Sequence, residues 1–276
     1  MARQNDVWLY GCIANEPEIL KDTKTGEYIR GSFYLAVMRS SRNSGEVWNK
    51  DKVMYDWPYI LSNDPAVIAQ MENLKIHDVM EIRGKFVTRK IRKMTKCKNC
   101  GAPIAAIGNL DFVMPLVMKR RNTKGEQLTE KQAFREIADN RELSNNIVIV
   151  GNVCNEVTYH HGMQGNREIQ TSVYQIATDR RVYVPGDPQE IRTDFPMIRS
   201  YGRQAKQDHL CLNVGSSVLI NGYLHSREFE RTTQCDSCEQ AFQWTDSITE
   251  IVPYSEEYLT NYNDPGDKME EDDLQV

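Results

Sequence analysis

The chain aligns with itself. VWLYGCIANEPEI at residues 7–19 matches IVIVGNVCNEVTY at 147–159, setting Gly11 against Gly151 and Asn15-Glu16 against Asn155-Glu156 at an offset of 140. Further on, RGKFVTRKIRKMTKCKNC matches NGYLHSREFERTTQCDSC without a gap at an offset of 138, so that Gly84, Cys97 and Cys100 fall on Gly222, Cys235 and Cys238. WPYI at 57–60 meets FPMI at 195–198 in the same register. In a chain of 276 residues such a period means two copies of one unit, each of about 110–120 residues and so large enough to bury its own core.

Inside each copy the apolar residues recur with the period of strands. Val7, Leu9 and Gly11 alternate with Trp8, Tyr10 and Cys12, and SFYLAVMR and SVYQIATDR are short runs rich in β-branched and aromatic residues. VMEIRGKFVTRKI and VLINGYLHSREF are longer strands with a central glycine, the mark of a bulge or of the tight bend that closing a small barrel demands. One short helical stretch, DPAVIAQMENL or RQAKQDHLCL, separates the third strand from the fourth. The order β-β-β-α-β-β is that of the five-stranded OB barrel, and the fold class read here is all-β: two OB barrels in tandem. The first spans 1–118 and the second 145–260, joined by a charged connector at 119–144 and followed by an acidic tail at 261–276. In the connector, Thr129 is placed to cap a helix with Gln132 three residues on, and Phe134 and Ile137 give that helix one apolar stripe.

The formal charge of −5 conceals its distribution. The last 13 residues, DPGDKMEEDDLQV, carry six acidic residues against Lys268, so the rest of the chain holds 33 basic and 33 acidic residues. The body is neutral with room for local patches, and the tail is too polar to fold. The most basic stretch surrounds one hairpin: Arg83, Lys85, Arg89, Lys90, Arg92, Lys93, Lys96 and Lys98 follow one another without an acidic neighbour. Strand alternation sends only about half of them to either face. Binding a single strand without sequence preference takes cations for phosphates and aromatic rings for bases. Trp48, between lysines in the loop RNSGEVWNKDK, is a further candidate ring, whereas Trp8 and Trp244 read as core.

The hairpin closes on Cys97-x-x-Cys100 and its repeat on Cys235-x-x-Cys238, four of the seven cysteines. Two thiolates two residues apart hold one side of a tetrahedral metal, and if the barrels pack about a pseudo-twofold the two tips meet in a single zinc site with four cysteine ligands. Free thiols or a conditional disulfide are the alternatives. Thioredoxin-like chemistry has no helix start after either pair to support it. Cys12, Cys154 and Cys211 read as small packed hydrophobes.

These residues resemble a family. VWLYGCIANEPEI, GSFYLAVMRS, WPYILSNDPAVIAQ and DVMEIRGKFVTRK in the first copy, and IVIVGNVCNEVTY, VYQIATDRR, DFPMIRSYGRQAKQ and SSVLINGYLHSRE in the second, are similar to the bacterial single-stranded-DNA-binding protein over residues 6–96 and 145–234. The second copy is the nearer match, through Phe195-Pro196 and Tyr201-Gly202-Arg203; the first departs with Asn63-Asp64-Pro65. The resemblance implies that Trp57, Phe195, Tyr201 and Phe229 stack bases, that Arg203 and Arg227 join the basic residues in holding the strand, and that two barrels per chain make a homodimer of four. Ile91 stands at the place of Phe229 in the first copy. It also implies that the acidic tail docks replication or repair proteins, although Leu274-Gln275-Val276 lacks the Pro-Phe close of the family. Within the binding class, an RNA-binding or replication-initiation accessory OB protein is the alternative.

Catalysis finds no support. The five histidines show no HExxH spacing, and there is no P-loop, nucleophile elbow or dinucleotide turn, so the chain reads as a binding protein rather than an enzyme. With no apolar run near 18 residues and no leader, it reads as cytoplasmic, with no membrane partner and with thiols kept reduced.

Overall fold

The computed structural model describes residues 4–39, 54–122, 126–165, 167–182, 184–187 and 192–263. The first half runs β1 (Asn5–Ile13), β2 (Glu18–Lys21), β3 (Tyr28–Met38), β4 (Tyr55–Asp56), β5 (Tyr59–Ser62), α1 (Pro65–Met71), β6 (Val79–Lys96) and β7 (Pro103–Arg120). After α2 (Glu130–Asp139) the series repeats as β8 (Asn145–Val153), β9 (Thr158–Gln164), β10 (Arg167–Asp179), β11 (Thr193–Asp194), β12 (Met197–Tyr201), α3 (Gly202–Cys211), β13 (Ser217–Gln234) and β14 (Ala241–Thr260). Strand β7 runs to Arg120, two residues past the expected end of the first barrel.

Each half closes on itself. β1 pairs with β6, β6 with β7, β7 in parallel with β5, β5 with β3 and β3 again with β1. The circuit β8-β13-β14-β12-β10-β8 repeats it, with the parallel step at Ile198 and Ile251 where the first barrel has Ile60 and Val113. The bend glycines act as the sequence suggests. At Gly84 the β6–β7 register shifts, and a Cβ there would stand 2.3 Å from the Met114 carbonyl oxygen; Gly222 meets Val252 in the same way at 2.3 Å. The backbones cross too closely for any side chain.

The two barrels share one sheet. β1 pairs antiparallel with β8, Asn5 opposite Ile149, Val7 opposite Ile147 and Leu9 opposite Asn145. Val7 and Ile147 are equivalent residues of the repeat, so a pseudo-twofold axis passes between them. Asn5 donates to the Phe86 carbonyl and accepts from its N–H at 2.8 and 2.9 Å; Asn145 does the same with Leu224 at 2.8 and 3.0 Å. The apolar core runs without a break from Leu9, Phe33 and Phe86 to Ile147, Tyr174 and Ile220.

The connector helix forms as expected. Thr129 Oγ1 accepts from the Gln132 N–H at 3.4 Å while Gln132 Oε1 accepts from the Thr129 N–H at 2.9 Å, a reciprocal cap. Ile137 is buried against Tyr10, Cys12 and Met38, and Phe134 meets Tyr55 edge to face at 4.7 Å. Cys12 and Cys211 are buried, but Cys154 is exposed: its Sγ lies on the rim of β10, 3.2 Å from the Gln175 carbonyl, so it does not pack as a small hydrophobe. Trp244 is core as read, whereas Trp8 is half-exposed in a cleft with Glu81, Arg83 and Arg121, because β1 turns its even-numbered residues away from the barrel interior. Among the described residues no helix is long and apolar enough to cross a membrane.

Candidate nucleic-acid interface

Beyond the bend glycines, β6–β7 and β13–β14 leave the barrels as two hairpin arms that lie face to face. Alternation decides which residues meet. On β6, Arg89, Ile91, Lys93 and Thr95 turn inward, while Lys90, Arg92, Met94 and Lys96 are exposed on the outside. On β13, Arg227, Phe229, Arg231 and Thr233 turn inward, and Glu228, Glu230, Thr232 and Gln234 turn out. Between the arms Lys93 Nζ bonds Asp246 Oδ1 at 2.5 Å and Asp111 Oδ2 accepts from the Thr249 N–H at 3.2 Å.

The basic strip is therefore divided in two. Lys85 is paired with Asp6 at 2.6 Å, Arg89 with Asp187 and Asp194, and Lys93 with Asp246, all on protein carboxylates. Lys90, Arg92, Lys96 and Lys98 face solvent, and Arg83, also exposed, lies 3.3 Å from Glu81. Arg227 shares Glu250 with Arg199 at 2.8 and 2.7 Å and lays its guanidinium 5.3 Å from the Phe229 ring, so Phe229 sits half-buried on the inner face of its arm. Arg203 is exposed at the start of α3.

The rings expected at the strand starts are open. Trp57 is 42% exposed, Phe195 45% and Tyr201 47%, values that an apolar core would not leave. Trp57 lies in a groove of about 460 Å³ at the root of the arms. Its floor is Tyr34, Trp57 and Tyr59, the two tyrosine rings 4.9 Å apart; one wall holds Lys93 and Asn109 and the other Ser226 and Arg227. Trp48 and the acidic tail at 264–276 lie outside the described residues.

Sequence reasoning missed the parts that hold this groove in shape. Asp56, fully buried, accepts from the Ser226 N–H of the other barrel at 3.1 Å, from Arg39 at 2.8 and 2.9 Å, and has His225 Nδ1 at 2.8 Å. Burial would raise its pKa, but the hydrogen bonds from His225 and Arg39 and the charge of Arg39 outweigh it and hold the carboxyl below its ordinary range. Asp194 is its counterpart: it accepts from the Thr88 N–H at 3.0 Å and pairs with Arg180, Arg180 standing where the first barrel has Arg39. There burial wins over Arg180, Thr88 and Arg89, and the carboxyl is pushed up to about 6. The signal was present as a repeated dipeptide, Asp56-Trp57 and Asp194-Phe195, in which the acid crosses to the other barrel while the ring faces out. Tyr34 and Tyr59 were also missed; each alternates with buried neighbours on its strand.

At the tips, Cys97, Cys100, Cys235 and Cys238 bring four Sγ atoms within 4.8 Å of one another, and this cluster could hold a metal ion. The closest cross-arm approaches are Cys97 to Cys238 at 3.7 Å and Cys100 to Cys235 at 3.6 Å, too long for disulfides. Zinc–sulfur bonds of about 2.3 Å give a tetrahedron of four sulfurs edges of about 3.8 Å, so the donor set fits that geometry. Both knuckles fold alike: the Gly101 N–H donates to the Cys97 carbonyl at 2.9 Å and the Glu239 N–H to the Cys235 carbonyl at 2.7 Å.

Residues 144–242 match the single-strand binding protein family. The matched stretch holds Phe195, Tyr201, Arg203, Arg227 and Phe229, and the first barrel repeats the circuit of the second strand for strand. The crystal structure of the wild-type single-stranded DNA binding protein from Thermus aquaticus superposes on this chain with a TM-score of 0.61 at 14% identity, over 94% of this chain and 95% of that one. A deletion mutant of the Thermus aquaticus protein gives a TM-score of 0.58 at 16% identity over 96% and 99%. At such identities the likeness is one of fold, and it spans both barrels. No curated protein matches the chain by sequence.

Proposed function

We propose that this protein binds single-stranded DNA without sequence preference and protects it during replication, recombination or repair. The observation that carries the reading is the groove whose floor is Tyr34, Trp57 and Tyr59, rings for bases, at the root of an arm whose outer face presents solvent-facing cations for phosphates. From the groove the strand runs on to the outer face of the first arm, where Lys90, Arg92 and Lys96 face solvent, and across the second barrel by Phe195, Tyr201 and Arg203. Phe229, on the inner face of the second arm, and Trp48, a candidate from the sequence alone, add further rings. Zinc is the metal for the four thiolates, in a structural role, since four protein sulfurs fill a tetrahedral shell and leave no open coordination place. Two chains assemble a set of four barrels, and the acidic tail offers a docking segment to replication or repair partners.

The test is quenching of tryptophan fluorescence on titration with poly-dT, poly-U and duplex DNA across a salt series. Poly-dT should quench strongly, duplex weakly, and affinity should fall as salt rises. For single strands the logarithmic slope is about −0.7 per phosphate neutralised, so Lys90→Ala, Arg92→Ala and Lys96→Ala together should flatten it by about 2. An unchanged slope would take the strand off this face. Poly-U binding tighter than poly-dT would favour an RNA-binding protein.

A further inference from the structure

We infer that the metal at the arm tips is a clasp between the two barrels, one ion per chain with two ligands from each arm, and that closing it sets the width of the nucleic-acid groove. The inference takes the groove's ligand from the reading above; the clasp itself does not depend on it.

The four ligands are not two sites. Each sulfur's nearest metal-ligating neighbour across the gap belongs to the opposite arm, Cys97 with Cys238 and Cys100 with Cys235, and all four lie within 4.8 Å. A single tetrahedral ion takes all of them, and neither knuckle alone completes a coordination shell. Backbone amides are already turned toward the sulfurs: the Asn99 N–H lies 3.4 Å from Cys97 Sγ, and N–H groups of Ser237 and Cys238 point at Cys235. Hydrogen bonds to ligating groups orient them and temper their charge, and exposed Lys96 and Lys98 stand beside a four-thiolate site that carries −2 with a divalent ion.

The clasp matters because of what lies between it and the groove. Each arm is a two-stranded hairpin, a structure that is marginal without a partner. Behind the sulfurs the arms are joined by a small apolar layer, Ala106, Phe242 and Trp244 with Ile104, and by the Lys93–Asp246 pair. Four residues, about 13 Å of extended chain, separate Cys97 from Lys93, which is already a groove wall. Arg227 and Ser226 on the opposite wall belong to β13, whose last residue, Gln234, precedes Cys235. The roots of both walls are fixed by the reciprocal Asp56 and Asp194 bonds, their middle by the Lys93–Asp246 pair and the apolar layer, and their tips by the metal. With the clasp open, that layer and that pair alone hold the arms together, and the facing wall of the groove loosens.

If the closed arms favour the nucleic acid, the nucleic acid must favour the closed arms and the metal by the same factor. Three measurements test this on the full chain. Zinc-loaded protein should contain one zinc per chain, and Cys97→Ser and Cys235→Ser should each lose all of it; two ions per chain, or loss from one variant only, overturns the shared site. Cobalt(II) exchanged into the unmutated protein should show the absorption of a tetrahedral four-thiolate site, which keeps the assignment testable if a serine variant fails to fold. Stripping with a chelator, with circular dichroism confirming that the barrels persist, should weaken poly-dT binding about 10-fold, restored by zinc, and bound poly-dT should make zinc about 10-fold harder to remove. Equal poly-dT affinity with and without zinc overturns the coupling. Zinc-loaded protein that ignores poly-dT would sink the nucleic-acid reading and the coupling, and leave the one-ion result standing.

Discussion

At equivalent places the two barrels have kept one thing and exchanged another. The contacts that join them are twofold: Val7 faces Ile147, Asn5 and Asn145 bridge to opposite strands alike, and Asp56 and Asp194 each reach a backbone N–H across the axis. The surfaces are not. Tyr34, Trp57 and Tyr59 of the first barrel become Gln175, Phe195 and Met197 in the second, and on the outer faces of the arms Lys90, Arg92 and Lys96 become Glu228, Glu230 and Gln234. Beneath α1, Gly31, Phe33, Met71 and Met118 pack an apolar core, while beneath α3 Ser172, Tyr174 and Glu256 take the places of Gly31, Phe33 and Met118, and Asp208 of α3 faces them. A joint between two copies of one unit holds both partners to one geometry. The outer surfaces are not tied in that way among the described residues, and they divide into unlike faces: the first barrel is the basic, ring-rich side.

That division is exposed most directly by stacking. Trp57→Ala should weaken poly-dT binding by about 1–3 kcal/mol with little change in salt slope, because a ring is lost and no charge is. Phe195→Ala should cost less, since Phe195 has Gln175 and Met197 beside it where Trp57 has Tyr34 and Tyr59. Fluorescence anisotropy of a labelled dT oligomer measures both. Equal losses would mean that the barrels share the strand evenly and that the difference between the floors is without consequence.

How much of this was legible follows from where each signal resides. The repeat, the strands, the bend glycines and the capped connector are local patterns, and Gly84, Gly222 and Thr129 do what their neighbours in sequence require. The four cysteines could be brought together on paper because the offset of 138 implied a twofold. Which lysines face out could not, beyond the rule that half do, because Arg89 and Lys93 are claimed by Asp187, Asp194 and Asp246, 98 to 153 residues away. Cys154 misled for the same reason: its apolar neighbours in sequence belong to the barrel, but the residue itself lies on the rim.

The polar core under α3 gives the second contrast a pH dependence. Asp208 accepts from Ser172, Tyr258 and Gln204 at 2.7–2.9 Å, and Glu256 accepts from Tyr174, with no cation bonded to either carboxylate among the described residues. Burial first, and the charge of Asp208 second, raise the Glu256 pKa well above its ordinary value; the Tyr174 hydrogen bond opposes this and loses. The folded protein therefore holds this proton more tightly than the unfolded chain does. Its contribution is most favourable below the ordinary glutamate pKa and is lost as pH climbs toward the folded value. Glu256→Gln, which keeps an acceptor for Tyr174, should raise the melting temperature at pH 8 and leave it nearly unchanged at pH 4. Phe33 and Met118 hold no proton at the equivalent place, so a stabilisation that persists undiminished at pH 4 would point to packing and not to charge.

The smallest effect concerns the knuckles, where the copies set different residues, Gly101 and Glu239, in one conformation. Both Cys-x-x-Cys turns end on a left-handed residue, Gly101 at φ +76° and Glu239 at φ +59°. The turn needs that conformation in each arm to return the following carbonyl to the first cysteine: the Cys97 N–H donates to Ala102 at 2.9 Å and the Cys235 N–H to Gln240 at 3.1 Å. Glycine enters the left-handed region freely, whereas a side chain brings Cβ against its own carbonyl at a cost of roughly 1 kcal/mol. Glu239→Gly should then stabilise the protein by up to about 1 kcal/mol in denaturant unfolding of the zinc-loaded form, reduced by the greater freedom glycine has in the unfolded chain. The converse, Gly101→Glu, should cost about the same, and since nothing lies within 4 Å of a Cβ built at Gly101, that cost is backbone strain alone. A Gly101→Glu variant as stable as the parent would show that the metal, not the turn, dictates the path of both knuckles, and the two arms would be equivalent at their tips after all.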